Sequence, residues 1–272
     1  MRSPLLVVAL FTVLSACGSS RSGSDAGTQQ DAGAEADGGC GACAGRCVLG
    51  RCLVALDSKG ASAHAIDATS VYWLDFAGQR VMKAPLAGGA PVVLATNQLQ
   101  PGAIAVDAHD VYWTLLGPNG SVAKVPLGGG MPTTLAAGQA FPRDVASDGT
   151  TVYWTCKSGS VMKVAAAGGA PTAIATQQDG PEALALGSAD VYWTNATGGT
   201  VMTAPKSGGA PVVIASGQSQ PEGIATQGSN LYWSNSGDGT LMKVTMPPNT
   251  PSPLYTDAAT PPHRLAVDAA YV

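Results

Sequence analysis

Hydrophobic and polar positions alternate along most of this chain, in short runs separated by glycine-rich turns. A representative stretch holds four such runs, at Gly102–Asp107, Asp110–Thr114, Ser121–Val125 and Pro132–Ala136. Alternation with a period of two over such lengths, bounded by turn residues, indicates β-strands. Four short strands in succession predict a four-stranded antiparallel sheet.

One aromatic phrase recurs five times at intervals of 40, 41, 39 and 40 residues. Its copies are Val71-Tyr72-Trp73, Val111-Tyr112-Trp113, Val152-Tyr153-Trp154, Val191-Tyr192-Trp193 and Leu231-Tyr232-Trp233. A fixed period of about 40 residues in strand-like units is typical of a β-propeller, in which each sheet is one blade and neighbouring blades cover each other's faces. The sequence therefore predicts an all-β fold.

The two ends of the repeat predict the number of blades. Leu53-Val54-Ala55 lies one period before Val93-Leu94-Ala95, so we expect it to be an isolated fourth strand. His263–Asp268 repeats a first strand, and Val272 aligns with the opening residue of the aromatic strand. We therefore expect residues 53–272 to form five complete four-stranded blades and an incomplete sixth, in a six-bladed design truncated at its C-terminus.

Residues 1–16 are typical of an export signal, with Arg2 followed by an apolar stretch and small residues. The sequence Leu14-Ser15-Ala16-Cys17 resembles a bacterial lipobox, which implies acylation of Cys17 and anchoring in the cell envelope, on the periplasmic side or the cell surface. An ordinary secretory signal is the alternative. Residues 17–39 are rich in Gly, Ser, Ala and Asp and predict a disordered acidic linker.

Four cysteines follow at short spacing, Cys40, Cys43, Cys47 and Cys52. A zinc ribbon separates its two ligand pairs by a dozen or more residues, whereas these are evenly crowded. Because export leads to an oxidising compartment, we expect residues 40–52 to form a disulfide-linked stalk of undetermined connectivity. Cys156 remains as an odd thiol, which we interpret as a small side chain filling a strand end.

Charge and aromatic content exclude two classes of partner. The net charge is −4, charged residues make up 12% of the chain, and the basic residues form no cluster. Nucleic acid is therefore not an expected partner, because neutralising phosphates requires a Lys/Arg patch. All five tryptophans belong to the repeated phrase, which disfavours a sugar-binding propeller with exposed aromatic platforms.

Acidic residues end several of the predicted first strands, namely Asp67, Asp107, Asp148 and Asp268. An Asp just before the next strand is explained by a turn in which its side chain accepts backbone amides. A ring of calcium ligands is the alternative, but Gly187 and Gln227 interrupt the series. We expect no metal and no cofactor.

The loops that precede the first strands carry their own pattern, Gln-x-x-Pro, at Gln98, Gln139, Gln178 and Gln218. The repeated Gln is interpreted as a residue that fixes the loop to the backbone. The residue after the Pro varies, as Gly102, Arg143, Glu182, Glu222 and then His263-Arg264. Variation on a constant frame is typical of a specificity surface, in which Phe76 and Phe141 would be apolar anchors. Unconstrained exposure to solvent is the alternative, because it produces the same pattern.

The Tyr-Trp-Thr strand resembles the YWTD propellers of lipoprotein-receptor ectodomains and, more distantly, the NHL propellers. No copy has the full motif: the first has Leu74 in place of the Thr before Asp75, and in the other four Leu115, Cys156, Asn195 and Asn235 replace the final Asp. The resemblance implies a six-bladed propeller used for protein binding, with no ligand residues carried over. We expect the partner to be another envelope or extracellular protein, or a small ligand.

The sequence also bears on catalysis. It has three histidines and no catalytic motif, so we expect a non-catalytic binding module and no enzyme. The alternative is an enzyme similar to the propeller lyase of streptogramin antibiotics, with His263 and Glu222 at the mouth of the channel.

Overall fold

The computed structural model describes residues 46–48, 51–53, 61–247, 250–257, 262–263 and 265. The chain divides into two units, Met1–Asp57 and Ser58–Val272. In the first unit, β1 (Arg46–Val48) and β2 (Arg51–Leu53) form an antiparallel hairpin. Leu53 pairs with Arg46 and not with a propeller strand, which differs from its predicted place in a fourth strand; residues 54–55 lie outside the described residues.

The second unit contains five sheets, each of four antiparallel strands that pair in chain order. The strands are β3 (Ala61–Ile66), β4 (Ser70–Asp75), β5 (Arg80–Pro85), β6 (Val92–Ala95), β7 (Pro101–Val106), β8 (Asp110–Leu115), β9 (Gly120–Pro126), β10 (Thr133–Gln139), β11 (Pro142–Ser147), β12 (Thr151–Cys156), β13 (Ser160–Ala165), β14 (Thr172–Ala175), β15 (Pro181–Leu186), β16 (Asp190–Asn195), β17 (Thr200–Pro205), β18 (Val212–Ala215), β19 (Pro221–Gln227), β20 (Asn230–Asn235), β21 (Thr240–Thr245) and β22 (Ser252–Thr256). We number the sheets blade 1 to blade 5. The predicted β-propeller fold of five complete blades is confirmed.

The core lies between neighbouring blades. First strands β3, β7, β11, β15 and β19 contact one another in sequence. The aromatic strands fill the space between the sheets, and Trp113, Trp154, Trp193 and Trp233 have no exposed surface. Each hydrophobic cluster joins side chains of two successive blades, as Tyr72 and Trp113 do in the first. Since a single blade cannot bury both of its faces, this stacking is what stabilises the sheets.

Tight turns join the first and second strands, and the aspartates behave as expected there. Asp107 accepts the amides of His109 and Asp110 at Oδ1, at 2.8 and 2.9 Å, and the Tyr112 hydroxyl at Oδ2, at 2.7 Å. Asp67 and Asp148 make the same set of bonds. The predicted turn role of these carboxylates is confirmed.

Two faces of the second unit follow from this topology. Each first strand begins on the face that we call the upper face, where the tip between the second and third strands also lies, as the Leu116 N to Gln100 O bond of 2.9 Å shows. The lower face carries the turns that contain Asp67, Asp107 and Asp148. Beyond β22 the structure describes only Asp257, Pro262, His263 and Leu265, so the sixth first strand and the truncation stay predictions.

Candidate functional site

In blades 2 to 4 the threonine after the Tyr-Trp pair joins one blade to the next on the upper face. Thr155 Oγ1 accepts the Asp144 amide at 3.1 Å within blade 3 and donates to the Glu182 carbonyl of blade 4 at 2.8 Å. Equivalent bonds run from Thr114 to Ala103 and Arg143, and from Thr194 to Ala183 and Glu222. The backbone of every variable residue from 143 to 222 is therefore fixed by a buried hydroxyl of the preceding blade.

The repeated glutamines fix the loops that precede the first strands by hydrogen bonds to the backbone and to a tryptophan. Gln178 Oε1 accepts the Trp193 indole N–H and the Asn195 amide, both at 3.1 Å, and its Nε2 donates to the Thr176 carbonyl at 3.1 Å. Gln98, Gln139 and Gln218 make the same tryptophan and backbone bonds. The glutamines therefore have the structural role that the sequence predicted, with the buried tryptophan as a further partner.

Variable side chains of neighbouring blades meet above this frame. Arg143 Nε lies 3.5 Å from Glu182 Oε2, and the two side chains are 33% and 28% exposed. Burial raises the pKa of Glu182. Arg143 and Lys157 oppose this shift in pKa, whereas the charges of Glu222 and Asp144 add to it. Burial therefore disfavours the charged form of Glu182.

The next pair brings a histidine to a carboxylate. His263 Nδ1 lies 2.8 Å from Glu222 Oε2, and Glu222 Oε1 accepts the Ser236 hydroxyl at 3.0 Å. With Nδ1 protonated, the carboxylate fixes the ring and leaves Nε2 as a proton acceptor. This pair satisfies the geometric requirement of the alternative enzyme hypothesis, in which a histidine nitrogen must lie close to a carboxylate at this mouth.

Phe141 lies on the upper face with half of its surface exposed, at 48%. Its φ of 55° is in the left-handed region, which bulky residues rarely adopt. Gly180 takes the same place in the next blade, with a φ of 72°. The Phe141 amide donates to Gly117 O and its carbonyl accepts from Lys157 N, so the surrounding backbone imposes this conformation.

Two more apolar side chains are exposed on the upper face. Phe76 lies in the tip between β4 and β5 and is 49% exposed, and Leu99 precedes β7 and is 62% exposed. The two loops are bonded to each other, from Gln98 N to Gln79 O at 2.9 Å. The predicted anchors therefore remain accessible, and Leu99 is an addition.

The sequence analysis missed three polar residues of this face. Asp144 Oδ2 accepts the Leu184 amide across the blade boundary at 2.9 Å, Lys157 acts on Glu182, and Ser236 binds Glu222. The only signal for Asp144 was its position after Arg143, where the other blades have Ala103, Ala183 and Gly223.

Other predicted residues do not join this group. Arg264, Cys17, Cys40 and Cys43 lie outside the described residues, and for Cys47 and Cys52 the structure gives the backbone, in which they are register partners. Cys156 is buried, and burial raises the pKa of its thiol. His109 lies in a lower-face turn.

Metal-binding and membrane-spanning features were sought in the described part of the chain. No three His, Cys, Asp or Glu side chains there come together as metal ligands. None of the described residues forms a helix long and apolar enough to cross a membrane.

Comparison with known proteins gives a fold. No protein-family model matches the chain, and no curated protein matches its sequence. Among solved structures, virginiamycin B lyase from Staphylococcus aureus is 15% identical with a TM-score of 0.65, covering 76% of this chain and 74% of that one. A chain of a nidogen/laminin complex is 20% identical with a TM-score of 0.63, covering 73% and 80%.

A third similar structure is XC5397, a gluconolactonase from Xanthomonas campestris, with 17% identity, a TM-score of 0.57 and coverage of 77% and 80%. At these identities the similarity shows the fold alone. These neighbours are β-propellers and include both a chain from a protein complex and enzymes. The prediction that this chain is not an enzyme is therefore wrong, because the same fold carries catalysis in the lyase and the gluconolactonase.

Proposed function

We propose that the propeller binds a partner protein through its upper face. The observation that carries this is the arrangement of variable charged side chains and exposed aromatic side chains on a constant hydrogen-bonded frame. Phe76, Leu99 and Phe141 offer apolar surface, and the pairs Arg143–Glu182 and Glu222–His263 lie on the same face. Exposed aromatics with a polar rim are the usual composition of a protein-binding patch.

Site-specific photocrosslinking tests the binding face. A photoreactive phenylalanine analogue replaces Phe141 in a protein that begins at residue 40, which is then incubated with envelope extract and irradiated. The matched control carries the analogue at Met131, which is 89% exposed but lies in the turn between β9 and β10 on the lower face. We expect a discrete crosslinked product from position 141 alone. Equal labelling from both positions, or none from 141, contradicts the proposal.

We also propose that the chain is a lipoprotein of the bacterial envelope, anchored through acylated Cys17. The support is the lipobox-like Leu14-Ser15-Ala16-Cys17 and the linker composition of residues 17–39. Several acyl chains at about 0.8 kcal/mol per buried CH₂ would give essentially permanent anchoring. The test is labelling with radioactive palmitate and membrane fractionation. Cys17→Ala should lose the label and appear in the soluble fraction, and membrane retention without label would contradict the anchor.

A second candidate function, proton-transfer catalysis, is favoured by the 2.8 Å contact between His263 and Glu222. A histidine oriented by a carboxylate is the arrangement that a general base requires. The first substrates to assay are quinupristin, which is present in a solved structure of catalytically inactive virginiamycin B lyase, and a gluconolactone, after the gluconolactonase. Turnover that is lost in His263→Ala and reduced in Glu222→Gln would support this candidate. Turnover that both variants retain would place the chemistry elsewhere.

A further inference from the structure

Blade 4 departs from the other blades on the lower face. In blades 1 to 3 the tyrosine of the aromatic strand donates its hydroxyl proton to the aspartate that ends the first strand, as Tyr112 does to Asp107 at 2.7 Å. Gly187 takes the place of that aspartate in blade 4. Among the residues that the structure describes, the Tyr192 hydroxyl therefore has no hydrogen-bond acceptor.

A second departure affects the neighbouring carboxylate. The third-strand residue opposite the tyrosine is a lysine in four blades, and in blade 2 this residue, Lys124, lies 2.9 Å from Asp110. Blade 4 keeps the acid as Asp190 but has Thr203 opposite Tyr192. The Thr203 hydroxyl donates to the Val191 carbonyl at 3.2 Å. Within residues 61–247, the Asp190 carboxylate therefore has neither a hydrogen-bonded nor an ionic partner, although its backbone carbonyl accepts the Gly187 amide at 2.9 Å.

These two groups line the same depression of about 480 Å³ between blades 4 and 5. Asn230 contributes an amide whose Oδ1 accepts the Thr245 hydroxyl, and Met246 and Pro247 give apolar walls. A depression of about 450 Å³ between blades 1 and 2 has Asp67 and Asp107 in its lining, and both carboxylates are saturated by turn amides and hydroxyls. The depression between blades 4 and 5 therefore differs in that it contains a carboxylate, that of Asp190, without a hydrogen-bonded donor or an ion-paired cation among the described residues.

We propose that the depression between blades 4 and 5 binds a primary alkylammonium group. The ammonium donates to the Asp190 carboxylate and the Tyr192 hydroxyl, and the alkyl chain packs against Met246 and Pro247. This arrangement reproduces the contact of Lys124 with Asp110 in blade 2, using an external amine. A single carboxylate suits an ammonium better than calcium or magnesium, which require several oxygen ligands. The site lies on the face opposite to the proposed protein-binding surface and does not depend on it.

Titration of the ¹⁵N-labelled protein with n-butylammonium, followed by NMR, tests the site directly. We expect saturable shifts of the Gly187, Ser188 and Gly228 amides, and no such shifts with butan-1-ol, which has the same shape but no charge. A lysine-containing peptide, Gly-Gly-Lys-Gly-Gly amide, forms a second arm. Shifts with both probes indicate that a lysine side chain can also occupy the site, and shifts with butylammonium alone indicate a free amine. Absence of saturable shifts with both, or equal shifts with butan-1-ol, overturns the proposal.

Two variants test the roles of the residues. Asp190→Asn should weaken butylammonium binding at least tenfold, whereas Asp238→Asn, the same change on the upper face, should leave it unaltered. Thr203→Lys supplies the lysine that the other blades carry, so it should abolish binding in a protein whose spectrum remains folded. Undiminished affinity in Asp190→Asn, or in folded Thr203→Lys, contradicts the site.

Discussion

At the scale of single residues, several charged side chains of the upper face lie at one position of the repeat, directly after the proline that opens the first strand. Arg143, Glu182 and Glu222 occupy this position in successive blades, and each carbonyl accepts a bond from the threonine of the blade before. Because the frame uses only their backbone, their side chains can differ without affecting the repeat. Specificity in such a repeat therefore lies in the residues that break the pattern.

Phe141 allows stability and binding to be separated. Phe141→Gly should leave the free energy of unfolding within about 1 kcal/mol, because relief of the left-handed strain offsets the greater chain entropy of glycine. The same change should weaken partner binding by about 2 kcal/mol if Phe141 is an anchor. Urea unfolding and a pull-down of the crosslinked partner measure the two effects. A variant that is equally stable and binds as well as the natural protein would contradict the anchor role.

Glu182 is expected to reduce stability at neutral pH. Its pKa is raised in the folded protein, first by burial, so its charged form is disfavoured there. The resulting penalty is absent below the unfolded pKa of about 4.3 and is complete above the folded pKa. Glu182→Gln should therefore raise the urea midpoint at pH 7 and leave it unchanged at pH 3. A lower midpoint at pH 7 would show that the Arg143 contact outweighs the burial of the carboxylate.

At the scale of elements, a threonine hydroxyl after the tryptophan of blades 2, 3 and 4 bonds each of these blades to the next. Thr155 is fully buried and bonded on both sides, to Asp144 N and to Glu182 O. Thr155→Val keeps the shape and leaves two partly buried backbone groups, Asp144 N and Glu182 O, without the partner they have in the natural protein. We expect a loss of about 1–3 kcal/mol in the free energy of unfolding.

A threonine that makes no such bond provides the control for that prediction. Thr133 lies in β10, where its side chain is exposed, and Thr133→Val should change stability by less than about 0.5 kcal/mol. Chemical denaturation of both variants gives the comparison. Equal effects at the two positions would mean that the link between blades does not depend on the Thr155 hydroxyl.

The strands were predictable because each is encoded locally. The period of two and the turn residues place the first strand at residues 102–107, and β7 spans Pro101–Val106. The partners of Thr155 were not predictable, because a threonine in an apolar strand looks like any other β-branched residue. Its bond to Glu182 joins residues 27 positions apart and depends on how blades stack, which the alternation does not specify.

At the scale of the whole molecule, the repeat register alone predicted a ring of variable residues on one face, and only the alternative enzyme hypothesis used His263 and Glu222 together there. The register could not predict that Arg143 and Glu182 pair, since this depends on the spacing of first strands around the axis. The sequence pattern also gave no indication of the depression between blades 4 and 5 on the lower face. Gly187 and Thr203 look like ordinary variation until the bonds of the other blades show which partners Tyr192 and Asp190 lack.

The fold as a whole should lose stability in acid. Burial alone would raise the pKa of Asp67, Asp107 and Asp148, but hydrogen bonds from turn amides and hydroxyls outweigh it and lower the pKa of each. The pKa of Asp75 is lowered first by the Gly78 amide. A depressed folded pKa stabilises the fold above the unfolded value of about 3.9, and this stability is lost progressively as the pH falls from that value through the lower folded pKa.

Four carboxylates acting in this direction exceed the opposite effect of Glu182, so the urea midpoint should fall between pH 5 and pH 3. Asp148→Asn should be less stable at pH 7 and should show a smaller fall, because it no longer has that proton to bind on unfolding. The difference between the two proteins should therefore narrow as the pH decreases. A midpoint that stays constant down to pH 3, or a difference that widens, would show that the turn carboxylates do not control the acid stability of the propeller.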